Sequence, residues 1–261
     1  MSYDESDLAL AHELADAADA ITLARFQAAD LVVESKPDLT PVTDADRAVE
    51  RAVTALLARR RPSDDLLGEE YGAITHGGSR RWILDPIDGT KNFVRGVPVW
   101  ATLVALEEDG GITTGVVSAP ALGRRWWAQR SRGAWSGRDQ RSARRLQVSH
   151  VGRLADASLS YSSLSGWAAQ GRLPGILDLS ERAWRTRAYG DFWSHVLVAE
   201  GAVDASFEPE VSLWDLAALE VIVEEAGGRF TDLRGRAGRG GGSVVCSNGL
   251  LHDEVLRALR P

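Results

Sequence analysis

Three short motifs contain acidic residues at positions where a metal ion could be bound. They are GEE (Glu69 and Glu70), DPIDGT (Asp85 and Asp88) and WDLAA (Asp215). The first two follow apolar segments that are typical of buried strands, and a carboxylate at the end of a buried strand is costly unless something positive offsets its charge. Magnesium is commonly held by a few carboxylates together with water and substrate phosphate. Together the motifs indicate a site for a hard divalent cation such as magnesium.

Each motif also has an ordinary structural explanation when taken alone. Glu69 and Glu70 could form a surface turn, and Asp215 could be an acid that the helix dipole favours near a helix N-terminus. Asp85 and Asp88 could cap a short helix that follows them. The co-occurrence of all three motifs favours the metal site.

The residues beside Asp88 favour a phosphate ligand. Pro86 and Gly89 constrain the turn, so the carbonyl of Ile87 could face a cation. Thr90 supplies a hydroxyl at the same place. The amides of Gly89 and Thr90 would lie at a helix N-terminus, which is well suited to binding phosphate.

The composition is that of an ordinary globular protein. The chain has 261 residues, of which 44% are apolar and 26% charged, values typical of a folded soluble domain. It has neither an internal repeat nor a long linker, so we treat residues 1–261 as a single domain. The 37 acidic residues outnumber the 30 basic ones, which is unfavourable for binding nucleic acid.

Cellular location is constrained by the cysteine count and by the hydropathy pattern. Cys246 is the single cysteine, which excludes an intrachain disulfide and a cysteine-cluster metal site. The first residues are acidic and polar, unlike a secretory signal, and apolar runs stay well below the ~18 residues of a membrane span. We expect a cytoplasmic protein with neither a membrane nor a nucleic-acid partner.

Hydrophobic periodicity predicts alternating helices and strands in layers. The first helix spans about residues 5–28, and the second begins after an N-cap at Thr43, with Asp44 and Asp46 in its first turn, and ends before Pro62. A hairpin is predicted from 99–106 and 112–118, which flank a turn at 109–111. Other predicted strands are 65–68, 82–84, 125–129, 146–149, 157–160, 203–207 and 244–246, and other predicted helices are 174–183, 191–200, 213–226 and 250–259.

Two arginine-rich segments have more than one interpretation. Residues 124–145 contain eight arginines and one acid; a solvated surface is favoured, and a basic rim that attracts an anionic substrate is the alternative. Residues 234–242, RGRAGRGGG, are similar to an RNA-binding tract, but their short length between two strands favours a flexible loop.

The order of the motifs resembles the magnesium-dependent inositol-monophosphatase superfamily. GEE, DPIDGT, and WDLAA before EEAGG carry the resemblance, which extends over nearly the whole chain, from KPDLTPVTDAD to SNG at 247–249. It implies an α/β fold, a layered α/β/α/β/α sandwich, that is commonly dimeric. It also implies a Mg²⁺ cofactor, with two or three ions in each active site.

The resemblance assigns roles to individual residues. It implies metal ligands at Glu69, Asp85, the carbonyl of Ile87, Asp88 and Asp215. Glu69 and Thr90 match the pair that orients the attacking water, and Asp44 matches an acid that helps hold a further metal or that water. Because no obvious phosphoenzyme motif is present, we expect direct attack on phosphorus by a metal-activated water.

Within the superfamily, the chain is most similar to histidinol-phosphate phosphatases. Long stretches carry this similarity, among them SKPDLTPVTDADR, DPIDGTKNFVRGVPVWATLVAL and RAYGDFWSHVLVAEGAVDASFEPEVSLWDLAALE. The implied substrate carries an ammonium and an imidazole, so its pocket should offer anions and a flat apolar wall. Asp191 and Glu208 are the candidates for the cationic end. The remaining substrate-binding candidates are Gly89, Thr90, Asp215, Asn92 and Arg95, the last from a dimer partner.

Alternatives to this function remain at the sequence level. A broad inositol or sugar monophosphatase would share every metal ligand. A regulatory, RNA-associated protein on the same scaffold would have a degraded metal site and a basic surface, whereas the motifs are intact and the net charge is −7. Asp191 could be an ordinary helix N-terminal acid, Trp126 and Trp127 favour a core or dimer-interface position, and Lys91 has no assigned role.

Overall fold

The computed structural model describes residues 5–238, 240 and 242–260 as a layered α/β structure. The helices are α1 (Glu5–Arg25), α2 (Asp44–Arg60), α3 (Thr90–Val94), α4 (Leu164–Ala169), α5 (Leu173–Arg182), α6 (Asp191–Ala199), α7 (Leu213–Glu225) and α8 (His252–Ala258). The strands are β1 (Val33–Ser35), β2 (Pro41–Thr43), β3 (Asp65–Gly68), β4 (Gly72–Ile74), β5 (Arg80–Asp88), β6 (Ala101–Glu108), β7 (Gly111–Ala119), β8 (Arg124–Gln129), β9 (Ala134–Gly137), β10 (Arg144–Arg145), β11 (Ser158–Tyr161), β12 (Arg185–Arg187), β13 (Ala205–Glu208), β14 (Arg229–Thr231) and β15 (Val244–Ser247).

Two large sheets organise these elements. The eight-stranded sheet has the order β10-β9-β8-β7-β6-β5-β3-β4, and the five-stranded sheet has the order β12-β11-β13-β15-β14. Helices α1 and α2 pack on one face of the larger sheet, and α7 packs on the other. Helices α6 and α7 also contact the smaller sheet, while α8 contacts its β15 and packs with α5. The expected α/β/α/β/α sandwich is therefore confirmed.

Apolar side chains fill each interface between layers. Leu14, Val53 and Trp82 lie in the core between α1, α2 and the larger sheet. Trp126 belongs to the central core and Trp127 to the outer one, because neighbouring residues of a strand point to opposite faces. Both tryptophans are core residues, which confirms the first of their two predicted positions.

Most predicted elements are present with small differences in their bounds. Thr43 caps α2 in a capping box with Asp46, as the sequence indicates. The predicted strand at 82–84 is part of the longer β5, which includes both Asp85 and Asp88. Residues 234–242 form no strand where they are described, consistent with a loop; residues 239 and 241 lie outside the described residues.

The predicted strand at 146–149 is wrong. Leu146 and Val148 are buried in the central core, so the alternation of apolar and polar residues correctly predicts which side chains are buried. However, the Leu146 amide bonds to the Ala134 carbonyl and the Val148 amide to the Ala226 carbonyl. Because these partners belong to different elements, the segment does not extend a ladder.

The solvated-surface interpretation of residues 124–145 is wrong for Arg125. Its side chain is buried and lies 2.8 Å from Asp16 and 2.6 Å from Asp19 of α1. Arg124 forms an ion pair with Glu200. Other arginines of the segment, such as Arg138, are exposed.

No helix within residues 5–238, 240 and 242–260 combines the length and the hydropathy that a bilayer crossing requires.

Gly115 allows α7 to lie directly on β7. A Cβ atom at this position would be 2.7 Å from the Ala218 carbonyl oxygen and 2.7 Å from Val221 Cγ1. Both contacts are shorter than van der Waals distance, and one is with backbone that cannot rotate away. This close approach determines the distance between α7 and the sheet, and therefore the position of Asp215, which belongs to α7.

We expect Gly115→Ala to destabilise the protein by about 1–3 kcal/mol, because overpacking forces the helix away from the sheet. Urea unfolding would measure the change in the free energy of unfolding. Gly152→Ala is the matched control, since a Cβ there meets no atom within 4 Å. Equal stability of the two variants would contradict the close-packing explanation.

Candidate metal and phosphate site

The parallel pairing of β3 and β5 brings two acidic motifs together. Gly68 pairs with Leu84 in this ladder, so Glu69, which follows β3, lies beside Asp85, the next residue of β5. Parallel strands present their carboxyl ends on one side. The apolar segments before each motif therefore determine where the carboxylates meet.

Glu50 of α2 holds the turn that carries Glu69. Its carboxylate accepts hydrogen bonds from the amides of Glu70 and Tyr71, at 2.8 and 2.9 Å. A Cβ at Gly68 would be 1.9 Å from Glu50 Oε1, so the glycine makes room for this contact. The role of Glu50 is not evident from the sequence, since an acid in the middle of a helix gives no local signal of such a distant contact.

Asp85 is the most buried acid of the Asp85, Asp88 and Asp215 cluster. Its side chain is 2% exposed, and its Oδ1 has no hydrogen-bond partner in the described structure. It shares the α7 side of β5 with Ile83, two residues earlier. The ladder between β5 and β6 is irregular between Asp85 and Asp88, which places both acids near the cavity.

Asp88 and Asp215 are each oriented by one backbone amide. The Phe192 amide donates to Asp88 Oδ2 at 2.6 Å, and the Ser212 amide donates to Asp215 Oδ2 at 2.7 Å. Each carboxylate therefore keeps its other oxygen for a ligand. One oxygen from each of Asp85, Asp88 and Asp215 lies within 4.8 Å of the other two.

Negative charge is concentrated in this cluster. Burial raises the pKa of Asp85 well above its ordinary value, and the neighbouring Glu69, Asp88 and Asp215 raise it further. Burial likewise raises the pKa of Asp88, and Asp191 adds to the effect. The pKa of Asp215 is raised to about 7, chiefly by burial. These acids repel one another, and a cation would relieve the repulsion.

The donor set fits a hard divalent cation. The converging groups are carboxylate oxygens, which magnesium prefers, and the buried Asp85 Oδ1 lacks any other partner among the described residues. The Ile87 carbonyl is beside them in the cavity lining and accepts a 2.9 Å hydrogen bond from the Thr90 hydroxyl. Its second lone pair remains for a further ligand.

A cavity of about 450 Å³ opens above the acidic cluster. It is lined by Lys36, Asp38, Thr40, Pro41, Glu69, Asp85, Ile87, Asp88, Gly89, Thr90, Lys91, Asp191, Ser212, Trp214 and Asp215. None of the arginines between residues 124 and 145 is in this lining, so they do not form its rim. Gly89 has a left-handed backbone with φ of 84°, which glycine adopts at little cost.

Lys36 is a cavity residue whose role is not evident from the sequence. Its ammonium lies 2.7 Å from Glu69 and 2.6 Å from Glu70. Burial alone would lower the pKa of Lys36, but the hydrogen bonds to the two glutamates raise it above its ordinary value. The residue lies in the KPD motif, which carried the family resemblance without any role for its lysine.

A second, smaller cavity of about 190 Å³ adjoins the first. Asp88, Asp191 and Asp215 line both cavities, whereas Glu208 lines the smaller one. Asp191 has φ of 50°, a left-handed conformation that is uncommon outside glycine and tolerated best by Asp and Asn. Burial raises its pKa to about 6, and Glu208 contributes to the shift.

The remaining predicted site residues lie outside the cavity linings. Asn92 donates a hydrogen bond to Asp191 Oδ2 at 3.3 Å and another to the Val99 carbonyl at 2.9 Å, so it supports Asp191. Asp44 pairs with Arg25 at 2.8 Å. Arg95 is exposed at the end of α3.

Comparison with known proteins identifies the family of the chain. A model of the inositol monophosphatase family matches residues 4–261. The chain belongs to the inositol monophosphatase family. The resemblance stated from its motifs is thereby confirmed.

Relatives within the inositol monophosphatase family are similar over almost their entire length. A histidinol-phosphatase from Mycobacterium tuberculosis is 62% identical over 259 residues, which cover 99% of this chain and 99% of the relative. A histidinol-phosphatase from Streptomyces coelicolor is 61% identical over 254 residues, covering 96% and 95%. The solved structure of the extragenic suppressor protein suhB from Bartonella henselae has a TM-score of 0.90 at 28% identity, covering 98% of this chain and 99% of that one.

The acidic cluster of this family member should make its metal-free stability depend on pH. The pKa of Asp215 rises from 3.8 to about 7 on folding. A raised pKa means that the folded state holds its proton more tightly than the unfolded state, so stability falls as pH rises between about 4 and 7. In chelator, wild type should therefore lose stability relative to Asp215→Asn over this range.

Urea unfolding at several pH values, with chelator and with magnesium, would measure this difference. Saturating magnesium should restore the wild type at neutral pH, by about 2.7 kcal/mol when its concentration is about 100 times Kd. Asp178→Asn, which alters an exposed acid paired with Arg182, is the control. A stability difference that stays constant with pH in chelator would contradict the charge-cluster explanation.

Proposed function

We propose that this protein is a magnesium-dependent phosphatase that hydrolyses histidinol phosphate to histidinol and inorganic phosphate. The observation that carries the proposal is the pair of adjoining cavities, which share Asp88, Asp191 and Asp215. The larger cavity suits a metal-bound phosphate, and the smaller one suits a cationic group. Two relatives that are more than 60% identical along nearly the whole chain are histidinol-phosphatases, which supports the choice of substrate.

The proposed magnesium ligands are the oxygen donors at the floor of the larger cavity. They are Glu69, Asp85, the Ile87 carbonyl, Asp88 and Asp215, and we propose two or three ions. When bound, magnesium supplies Lewis-acid chemistry, which stabilises charge on the phosphoryl group and favours the formation of a nucleophile from water near neutral pH. The repulsion among the carboxylates supports this proposal, because a bound cation would relieve it.

Thr90 and Glu69 are proposed to orient the attacking water. The Thr90 hydroxyl donates to the Ile87 carbonyl at 2.9 Å, so its oxygen can accept a hydrogen bond from water. The Glu69 carboxylate, which lines the same cavity, can accept the second one. A water held by two acceptors directs a lone pair at phosphorus, and this orientation lowers the barrier to attack.

The phosphate itself is proposed to lie at the start of α3. The amides of Gly89 and Thr90 would donate to its oxygens. Lys91, which lines the same cavity, adds positive charge nearby. The phosphorus would thus be held between these donors and the carboxylate-bound metal.

The smaller cavity is proposed to bind the organic part of the substrate. Glu208 and Asp191 offer carboxylates to its ammonium or imidazole. Phe192, Leu216 and Leu219 provide an apolar wall in the same cavity, which suits a flat ring. Inositol phosphate offers only hydroxyl groups beyond its phosphate and would leave these acids without a cationic partner.

We also propose that the protein is a homodimer. Arg95 is exposed at the end of α3, so its guanidinium is available to approach the cavity of the other subunit. Asp44 is proposed to help hold a further metal or the attacking water through its Oδ1, which has no hydrogen-bond partner among the described residues.

The function is tested by measuring phosphate release from histidinol phosphate, inositol 1-phosphate and fructose 1,6-bisphosphate. A charge-assisted hydrogen bond contributes roughly 1.5–3 kcal/mol. We therefore expect kcat/KM for histidinol phosphate to exceed that for inositol 1-phosphate by about tenfold or more. Chelator should abolish turnover, and added magnesium should restore it. A preference for inositol 1-phosphate would overturn the substrate while leaving the metal-dependent phosphatase intact.

Thr90→Ala should lower kcat more than it changes KM, because a water-orienting hydroxyl acts in the transition state. The loss should be on the order of 100-fold. Thr90→Ser is the matched control, since it keeps the hydroxyl and should retain most of the activity. A change confined to KM would instead make Thr90 a substrate-binding residue.

A further inference from the structure

A layer of polar side chains is buried between α6 and the inner face of the five-stranded sheet. Its members are Ser160, Ser194, His195, Ser206 and Cys246, each at most 2% exposed. The outer face of the same strands is apolar, with Leu159, Phe207 and Val245 in its core. Buried polar groups cost free energy unless they are paired, so their concentration on one face requires an explanation.

Strand register explains how these residues meet. Ser206 pairs with Cys246 across β13 and β15, and Glu208 follows Ser206 by two residues on the same face. His195 comes from α6, one helical turn after Asp191, so both project from the same side of that helix. The sheet and the helix therefore direct Glu208, Asp191 and His195 toward the smaller cavity, which all three line.

His195 connects Glu208 to the polar layer. Its Nε2 lies 3.2 Å from Glu208 Oε1. Its Nδ1 lies 2.9 Å from Ser206 Oγ and 2.9 Å from Cys246 Sγ. Both ring nitrogens thus have partners, and the imidazole cannot rotate without losing them.

His195 Nε2 can carry a proton that faces Glu208 both when the imidazole is neutral and when it is charged. A neutral imidazole that donates from Nε2 accepts at Nδ1 from the Ser206 hydroxyl or the Cys246 thiol. A protonated imidazole donates from both nitrogens. In either state Nε2–H faces Glu208 Oε1 across 3.2 Å, and this buried oxygen forms no hydrogen bond with any other described residue.

We infer that His195 is a positioning residue that fixes the Glu208 carboxylate for the cationic group of the substrate. The inference rests on the proposed function, since it assigns Glu208 to substrate recognition. A long glutamate side chain loses rotamer freedom when it binds a ligand, and His195 removes that freedom beforehand. Ser206 and Cys246 act one step further away by fixing the imidazole ring.

Three substitutions of His195 separate the contact of Nε2 with Glu208 from the contacts of Nδ1 with Ser206 and Cys246. In His195→Gln the side-chain nitrogen can occupy the place of Nε2 and still reach Glu208, whereas in His195→Asn the shorter amide can replace Nδ1 alone. His195→Leu removes both. The measured quantity is the ratio of kcat/KM for histidinol phosphate to kcat/KM for inositol 1-phosphate.

We expect this ratio to fall about tenfold in His195→Leu and in His195→Asn, and to remain within about twofold of wild type in His195→Gln. In a Glu208→Gln background, His195→Leu should not lower the ratio further, because the carboxylate that it positions is gone. Thermal unfolding of every variant separates recognition from stability.

His252→Leu is the matched control for loss of a buried histidine. His252 is fully buried and bonds to Thr231 at 2.8 Å and Ser247 at 2.9 Å, outside the linings of both cavities. Its substitution should lower thermal stability without changing the ratio.

The possible outcomes distinguish the inference from the proposed function. If the ratio is unchanged in both His195→Leu and His195→Asn, or falls equally in His195→Gln and His195→Asn, the positioning role is overturned. If His195→Leu does not fold, the Gln and Asn variants decide between the same outcomes. If wild type itself does not prefer histidinol phosphate, the proposed substrate fails before any variant is compared.

Discussion

Mutual repulsion among buried carboxylates is the constraint on which the rest of the structure depends. Asp85, Asp88 and Asp215 converge to within 4.8 Å, and Glu69 is close enough to raise the pKa of Asp85. Like charges at this separation are unfavourable in a partly buried site. They remain together because each belongs to an element that is fixed by apolar packing elsewhere.

The supporting contacts show how the scaffold opposes this repulsion. Glu50 anchors the turn that follows β3, the Phe192 amide holds Asp88, and the capping box at Ser212 holds Asp215. Gly115 lets α7 lie close to β7. Each of these hydrogen bonds joins a carboxylate to a backbone amide, and Gly115 contributes the absence of a side chain, so none of these contacts adds a cationic side chain that would compete for the carboxylates.

Local sequence patterns predicted layered helices and strands, and the family resemblance added the order of the layers and most of the acidic residues of the two cavities. DPIDGT after an apolar run placed two acids at a strand end, and family resemblance joined them to Glu69 and Asp215. The roles of Glu50, Lys36 and His195 could not be read in this way, because their partners lie 11 to 51 residues away along the chain. The predictions of a solvated Arg125 and of a strand at 146–149 were wrong for a related reason. Both depend on which elements pack against the residues, and local composition does not show this.

Lys36 has a consequence for which ions the site can admit. Its ammonium already neutralises part of the charge of Glu69 and Glu70, and the short strands β1 and β2 keep it tethered beside them. An incoming cation must therefore compete with the Lys36 ammonium. The backbone holds this ammonium beside the glutamates, so it acts at a high effective concentration. A monovalent ion brings no more charge than the lysine it displaces, whereas a divalent ion does. The tethered lysine thus acts as a built-in competitor that favours ions of higher charge.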